Sequence, residues 1–263
     1  MSQVRVSEGF AIGYTEAGQG NATPIVFLHG VGSDKSVWRP QLRHFGEDRR
    51  TLAFDYPGYG DSDGAADETS RDDYAAAILS AMTALNVERA HICGLSLGGV
   101  VAIAMYAAEP NRFASLTLAD TFADHPEGRA IYDRSVAGSA NMRVLAESRV
   151  DVLMAQPADP AVRAEVIETM ARINPAAYVT GAEAVWLANQ RDRATAIREP
   201  TLVLCGTEDR VTPPALSHAL ARLIPGAQEA LVEGAGHLAN IERPQEFNTI
   251  VGAFIRGVDS RSS

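Results

Sequence analysis

A serine between two glycines, Gly94-Leu95-Ser96-Leu97-Gly98, stands where two unlike periodicities meet. Ala90 to Cys93, just before it, reads as a short strand. After it, Leu97, Val100, Val101, Ala104, Met105 and Ala108 recur at the spacing of one helix face. A strand that turns this abruptly into a helix needs small residues where the two approach, and the turn lifts the serine side chain clear of the sheet. No other stretch constrains the fold as tightly.

The rest of the chain alternates in the same way. Two strands are expected at the start, around Val4 to Val6 and Phe10 to Ala17, turned by Ser7-Glu8-Gly9. Ile25 to Leu28 is a continuous apolar run, as in a strand covered on both faces. A helix near Val37 to Phe45 and a strand at Thr51 to Phe54 follow, and then Ser70-Arg71-Asp72-Asp73, which resembles a capping box, opens a helix carrying Tyr74, Ile78, Ala81 and Leu85. Another strand is expected at Leu116 to Ala119. From 120 to 198 the sequence is rich in alanine and arginine, helical in period and without a convincing strand. The strand pattern resumes at Thr201 to Cys205, and a helix at Ala215 to Leu223, a strand at Gln228 to Val232 and a helix at Pro244 to Phe254 complete it. This order predicts an α/β fold with a mostly parallel sheet, a core over 1–119 and 199–263, and a helical cap over 120–198 above the carboxyl edge.

Composition narrows the function. A formal charge of -10 argues against nucleic acid as a partner. Met1 to Arg5 lacks the basic start and apolar run of a signal peptide, and no stretch reaches membrane-spanning length, so a cytoplasmic protein without a membrane partner is expected. Oligomeric state is not legible. Lys35 is the only lysine and lies in a turn, which disfavours Schiff-base chemistry. Cys93 and Cys205 sit in separate strands and read as buried thiols. The stretch from His29 to Lys35 begins like a dinucleotide fingerprint but has Lys35 at the third glycine position; no phosphate-binding G-x-x-x-x-G-K-[ST] and no H-E-x-x-H occurs. Neither a cofactor nor a metal is expected.

A serine hydroxyl becomes a nucleophile only with a base in reach and an acid behind that base. Of the six histidines, His237 lies in a flexible loop after the last strand, where a base would hang over the carboxyl edge. Asp209, in the turn after the preceding strand, gives the chain order Ser96, Asp209, His237. The turn at Ser96 is a strand-to-helix elbow, and Asp120, at the end of the strand after the elbow's helix, competes for the acid's place. Main-chain N–H groups of Leu97 and Val31, the latter among glycines in His29-Gly30-Val31-Gly32, are the candidate oxyanion donors. Trp186 is a candidate pocket residue, and one arginine among Arg129, Arg134, Arg143, Arg163, Arg172 and Arg191 could hold a substrate carboxylate.

His29-Gly30, Asp55 to Ser62, the elbow, Gly206 to Pro214 and Gly236-His237 together resemble the α/β-hydrolase superfamily over nearly the whole chain. Within it the segments Ala90 to Gly99, Leu116 to Thr121 and Gly236 to Pro244 are most similar to 3-oxoadipate enol-lactonases and related esterases. The resemblance implies an eight-stranded, mostly parallel sheet with a helical cap, no cofactor, and hydrolysis of a small ester or lactone by a serine triad. The chain departs from those lactonases at His29 to Gly32 and at Leu97, which leaves the particular substrate open. Carbon–carbon bond hydrolases and perhydrolases share the same motifs, and a ligand receptor retaining the triad is a further alternative.

Overall fold

The computed structural model describes residues 2–6, 10–64 and 69–262; the turn expected at Ser7-Glu8-Gly9 lies outside them. Eight strands form one sheet: β1 (Ser2–Arg5), β2 (Ala11–Ala17), β3 (Ile25–Leu28), β4 (Thr51–Phe54), β5 (Ala90–Leu95), β6 (Phe113–Ala119), β7 (Thr201–Gly206) and β8 (Gln228–Val232). Their order is β1-β2-β4-β3-β5-β6-β7-β8. The pairs β1–β2 and β2–β4 are antiparallel, and every later pair is parallel. Every residue of β3, β4, β5, β6 and β7 is buried, whereas the edge strands β1 and β8 are largely exposed. Continuous apolar runs therefore mark the strands covered by helices on both faces.

The helices are α1 (Arg39–Phe45), α2 (Arg71–Ala84), α3 (Leu97–Ala108), α4 (Gly128–Gly138), α5 (Met142–Leu153), α6 (Pro160–Ala171), α7 (Pro175–Trp186), α8 (Arg191–Thr195), α9 (Pro214–Leu223), α10 (Ala239–Glu242) and α11 (Pro244–Ser262). Packing of α1 on α11 and of α2 on α3 supplies the helical layers against the sheet. The Ser70 capping box is formed: its side chain accepts the Asp73 N–H, and Asp73 accepts the Ser70 N–H. α11 runs well past the expected end at Phe254, because Ile255 and Val258 extend its buried face beyond Phe247, Val251 and Phe254. Between β6 and β7 the chain forms α4 to α8, and the one β-pairing there is an isolated bridge from Asp124 to Asn189.

Direction reverses around β3. The chain passes from β3 to β4 on one side and then returns to β5 on the other, so β3 and β5 become neighbours with Leu28 opposite Gly94. Open α/β sheets bind ligands at such a switch point, outside the carboxyl ends of the strands. The loops after β3, β5, β7 and β8 all leave that edge.

Lys35 is one reason the edge is ordered. Its Nζ lies 2.5 Å from Asp55 and 2.7 Å from Asp61, while Asp55 also accepts the N–H groups of Lys35 and Asp61. The loops after β3 and β4 are joined by this ion cluster. Burial pushes the ammonium pKa down, but Asp55 and then Asp61 outweigh it and hold the pKa above the ordinary value, so the group stays a cation rather than a nucleophilic amine.

Candidate active site

Ser96 has φ 55° and ψ -114°, a backbone conformation that costs of order 1–3 kcal/mol for a residue with a side chain. Its neighbours hold it there. The Ser96 N–H donates to Ala119 at the end of β6, and the Thr121 hydroxyl donates to the Ser96 carbonyl at 2.8 Å. A Cβ on Gly98 would lie 2.1 Å from the Leu28 carbonyl oxygen, and one on Gly94 would lie 2.2 Å from the Gly98 carbonyl oxygen. The elbow thus works only with glycine at both places. The Ser96 hydroxyl is buried and has no hydrogen-bond partner among the described residues.

Asp209 and His237 are brought together from the loops after β7 and β8. Asp209 Oδ2 lies 2.8 Å from His237 Nδ1 and accepts the Thr212 hydroxyl at 2.6 Å; Oδ1 accepts the N–H groups of Val211 and Thr212. Burial pushes this carboxyl up, but the facing His237 imidazole and the Thr212 donors outweigh burial and hold it below the ordinary carboxylate value. Asp120, its competitor, is fully buried with φ 47° and accepts the Gly206 N–H at 2.8 Å, while Oδ2 has no partner among the described residues. Burial and the charge of Asp209 drive it well above the ordinary range. The two carboxyls are therefore pushed in opposite directions, and the one facing the imidazole is the one favoured as an anion.

Asp120, Cys205 and Asp209 carry ligand-type atoms within 4.8 Å of one another. They fit a cation poorly: burial pushes both the Asp120 carboxyl and the Cys205 thiol up, toward their protonated forms, and Asp209 is already engaged by four donors. Both cysteines are free and buried.

Ser96 and His237 line one cavity, together with Val31, Tyr178, Trp186 and Leu238. Gly30 lies against the serine, since a Cβ there would be 3.4 Å from Ser96 Cβ, so the loop after β3 borders the same space. Leu97 is the first residue of α3, where helix N–H groups lack intrahelical acceptors, and the Val31 N–H has no acceptor among the described residues. Trp186 both lines the cavity and stacks on Phe122, with ring centroids 5.8 Å apart.

Three residues without an assigned role in the sequence reading stand out. Thr212 touches both Asp209 and His237. Glu242 accepts N–H groups from Gly236 and Leu238, on either side of His237, and from Ala155. Arg149, outside the six arginines considered, lines the cavity. His29 is a buried ring against Tyr56 and Tyr59, with centroids 4.5 and 5.1 Å away.

Residues 23–244 match the family model described as the alpha/beta hydrolase fold. The chain belongs to this family. It is 29% identical over 245 residues to 3-oxoadipate enol-lactonase 1 of Acinetobacter baylyi, covering 92% of this chain and 91% of that protein. It is 30% identical over 260 residues to the dihydrolipoyllysine-residue acetyltransferase component of the acetoin cleaving system of Pseudomonas putida, covering 94% of this chain and 67% of that one. The crystal structure of the enol-lactonase from Burkholderia xenovorans LB400 superposes with a TM-score of 0.90 at 28% identity, over 97% of this chain and 100% of that chain. The α/β-hydrolase identity makes the chain an enzyme of a hydrolase family close to enol-lactonases and esterases. Among the described residues no helix is long and apolar enough to cross a membrane.

Proposed function

We propose that this α/β-hydrolase cleaves a small carboxylic ester or lactone through an acyl-enzyme on Ser96, in the manner of the enol-lactonases it resembles. The observation that carries the reading is the 2.8 Å contact between Asp209 and His237 Nδ1, at the rim of the cavity that Ser96 lines. With Nδ1–H donating to Asp209, the tautomer leaves Nε2 as the proton acceptor. Ser96 Oγ attacks the carbonyl carbon as its proton passes to Nε2. The tetrahedral oxyanion is held by the N–H groups of Leu97 and Val31, and His237 returns the proton to the departing alkoxide or enolate. Water, deprotonated by His237, then adds to the acyl carbon and releases the acid with Ser96 restored. Helices α4 to α8 act as a cap, with Trp186 as part of its inner wall. The small-molecule substrate requires no cofactor in this scheme.

A panel of aryl esters, aliphatic lactones and enol-lactones tests the reading with wild type and Ser96→Ala. Deleting the nucleophile of a developed triad lowers turnover by about 10⁶. Ordinary turnover by purified Ser96→Ala protein would reject the acyl-enzyme, and a preference for diketones split at carbon would replace the ester with a carbon–carbon bond.

A further inference from the structure

Thr212 sits beside the Asp209–His237 contact without facing the cavity. Its hydroxyl oxygen lies 2.6 Å from Asp209 Oδ2 and 3.2 Å from His237 Nδ1, and those two atoms lie 2.8 Å from each other. All three side chains are buried, and among the described residues neither Thr212 nor Asp209 lines the cavity that Ser96 and His237 share. A hydroxyl has one proton to give and two lone pairs with which to accept. The 2.6 Å separation is that of an O–H···O⁻ bond, so the proton goes to the carboxylate. A lone pair is left toward Nδ1, and the ring N–H is shared between Oδ2 and the hydroxyl oxygen. Two oxygens thus face Nδ1 as acceptors, which favours the tautomer that carries its proton there and leaves Nε2 free. The Thr212 N–H meanwhile donates to Oδ1 at 2.9 Å, so one residue grips both oxygens of the carboxylate and fixes its plane. Local sequence supplies the rigidity: Pro213 follows and restricts the Thr212 backbone, Pro214 opens α9, and branching at Cβ restricts the side chain.

We propose that Thr212 is a positioning residue for the hydrolytic reaction, holding the His237 imidazole in the tautomer and orientation that accept the Ser96 proton. It acts through Asp209 and His237 and touches no substrate. The inference rests on the acyl-enzyme reading and adds a fourth side chain to it. Removing the hydroxyl would take one of two acceptors from Nδ1–H, so proton transfer from Ser96 slows. It would also take a donor from Oδ2, which then holds the imidazolium more strongly, so the protonated ring persists to higher pH. The lost contact to Nδ1 works the other way, but at 3.2 Å it is the longer and weaker of the two. The other titratable and charged groups facing this pair are Asp120 after β6, Cys205 on β7 and Glu242 on α10, with Arg149 and Glu165 lining the same cavity. None of them changes in the variants below.

Inactivation by an alkyl phosphonofluoridate reads the activation of Ser96 without the natural substrate: an Oγ–P bond forms, the P–F bond breaks, fluoride leaves and the serine proton passes to His237. Thr212→Val keeps the shape and removes the hydroxyl, whereas Thr212→Ser keeps the hydroxyl. In Thr212→Val the plateau rate constant should fall about tenfold, the worth of a charge-assisted hydrogen bond, and the acid-side midpoint of its pH profile should rise by about half a unit. Thr212→Ala should move both the same way. Thr212→Ser should return the midpoint to that of wild type and the plateau to within about threefold, its side chain being freer to rotate. With an ester, the loss in Thr212→Val should fall on kcat and leave KM within about twofold. A role in folding alone would lower the thermal midpoint and the plateau but leave the pH midpoint in place. A plateau or a pH midpoint that moves in neither Thr212→Val nor Thr212→Ala overturns the inference, as does Thr212→Ser protein no faster than Thr212→Val. Wild type that escapes modification at Ser96 is a different result, and rejects the acyl-enzyme together with the inference built on it.

Discussion

At the scale of single residues, the instructive pair is Asp209 and Asp120, adjacent carboxyls that their surroundings drive apart. Four donors, the imidazole among them, favour the anion at Asp209, whereas at Asp120 burial and the charge of Asp209 outweigh the single Gly206 donor and favour the acid. Asparagine is therefore a severe change at one site and a mild one at the other. Asp209→Asn should lower kcat by about 10⁴, as expected when the imidazole loses its orienting anion. Asp120→Asn keeps a neutral group that accepts the Gly206 N–H and should cost less than about tenfold in kcat. Equal losses from the two variants, measured on one ester with folding checked by circular dichroism, would contradict the assignment. Sequence alone offered both as candidates, Asp209 because it follows a strand by the interval of a turn and Asp120 because it ends the strand after α3. It could not show Thr212, Glu242 or Arg149. Their roles depend on where a side chain points across a loop or a helix, and no spacing rule encodes that.

Between elements, the segment from the end of α5 to Ala155 carries the closest coupling. The His237 N–H donates to Leu153, the Ala155 N–H donates to Glu242, and Arg210 donates to Met154. The Asp209 loop, the His237 loop and the helical insertion are thus tied at one place. Glu242→Ala would leave the N–H groups of Ala155, Gly236 and Leu238 without their acceptor, and should destabilise the protein by about 2 kcal/mol or more. It should also depress kcat more than it raises KM, since the loss falls on the base loop; Glu242→Gln, which retains an acceptor oxygen, should recover part of both. Thermal midpoints and steady-state kinetics on the two variants decide this, and a pure KM effect would place Glu242 with substrate binding instead. Element types were readable nearly throughout, because apolar runs and helical periodicity report burial directly. Strand order was not: the step from β3 out to β4 and back to β5 is set by crossover packing, to which local pattern is blind. The end of α11 was placed early for a related reason, since the contacts of Ile255 and Val258 come from distant parts of the chain.

For the molecule as a whole, His91 sets an expected dependence of stability on pH. Its ring is buried between Ser115 and Asp259, and burial, only partly offset by Asp259, lowers its pKa to about 4. Above the unfolded value near 6.5 both states are neutral and folding is indifferent to the proton. As pH falls from there toward 4 the unfolded chain takes up a proton that the folded chain refuses, so stability declines across this window, by on the order of 3 kcal/mol from this group. Urea unfolding at stepped pH should show the decline, and a stably folded His91→Asn variant should flatten it; an unchanged slope would assign the acid sensitivity elsewhere. The ion cluster at Lys35 has a different bearing on the whole protein. Acyl transfer of the kind proposed would put a protein's own amines at risk of acylation, and here the sole lysine is paired with two aspartates and buried. Every other side-chain cation is a guanidinium or an imidazole, so a reactive acyl donor diffusing past this surface meets no lysine ready to form a stable amide.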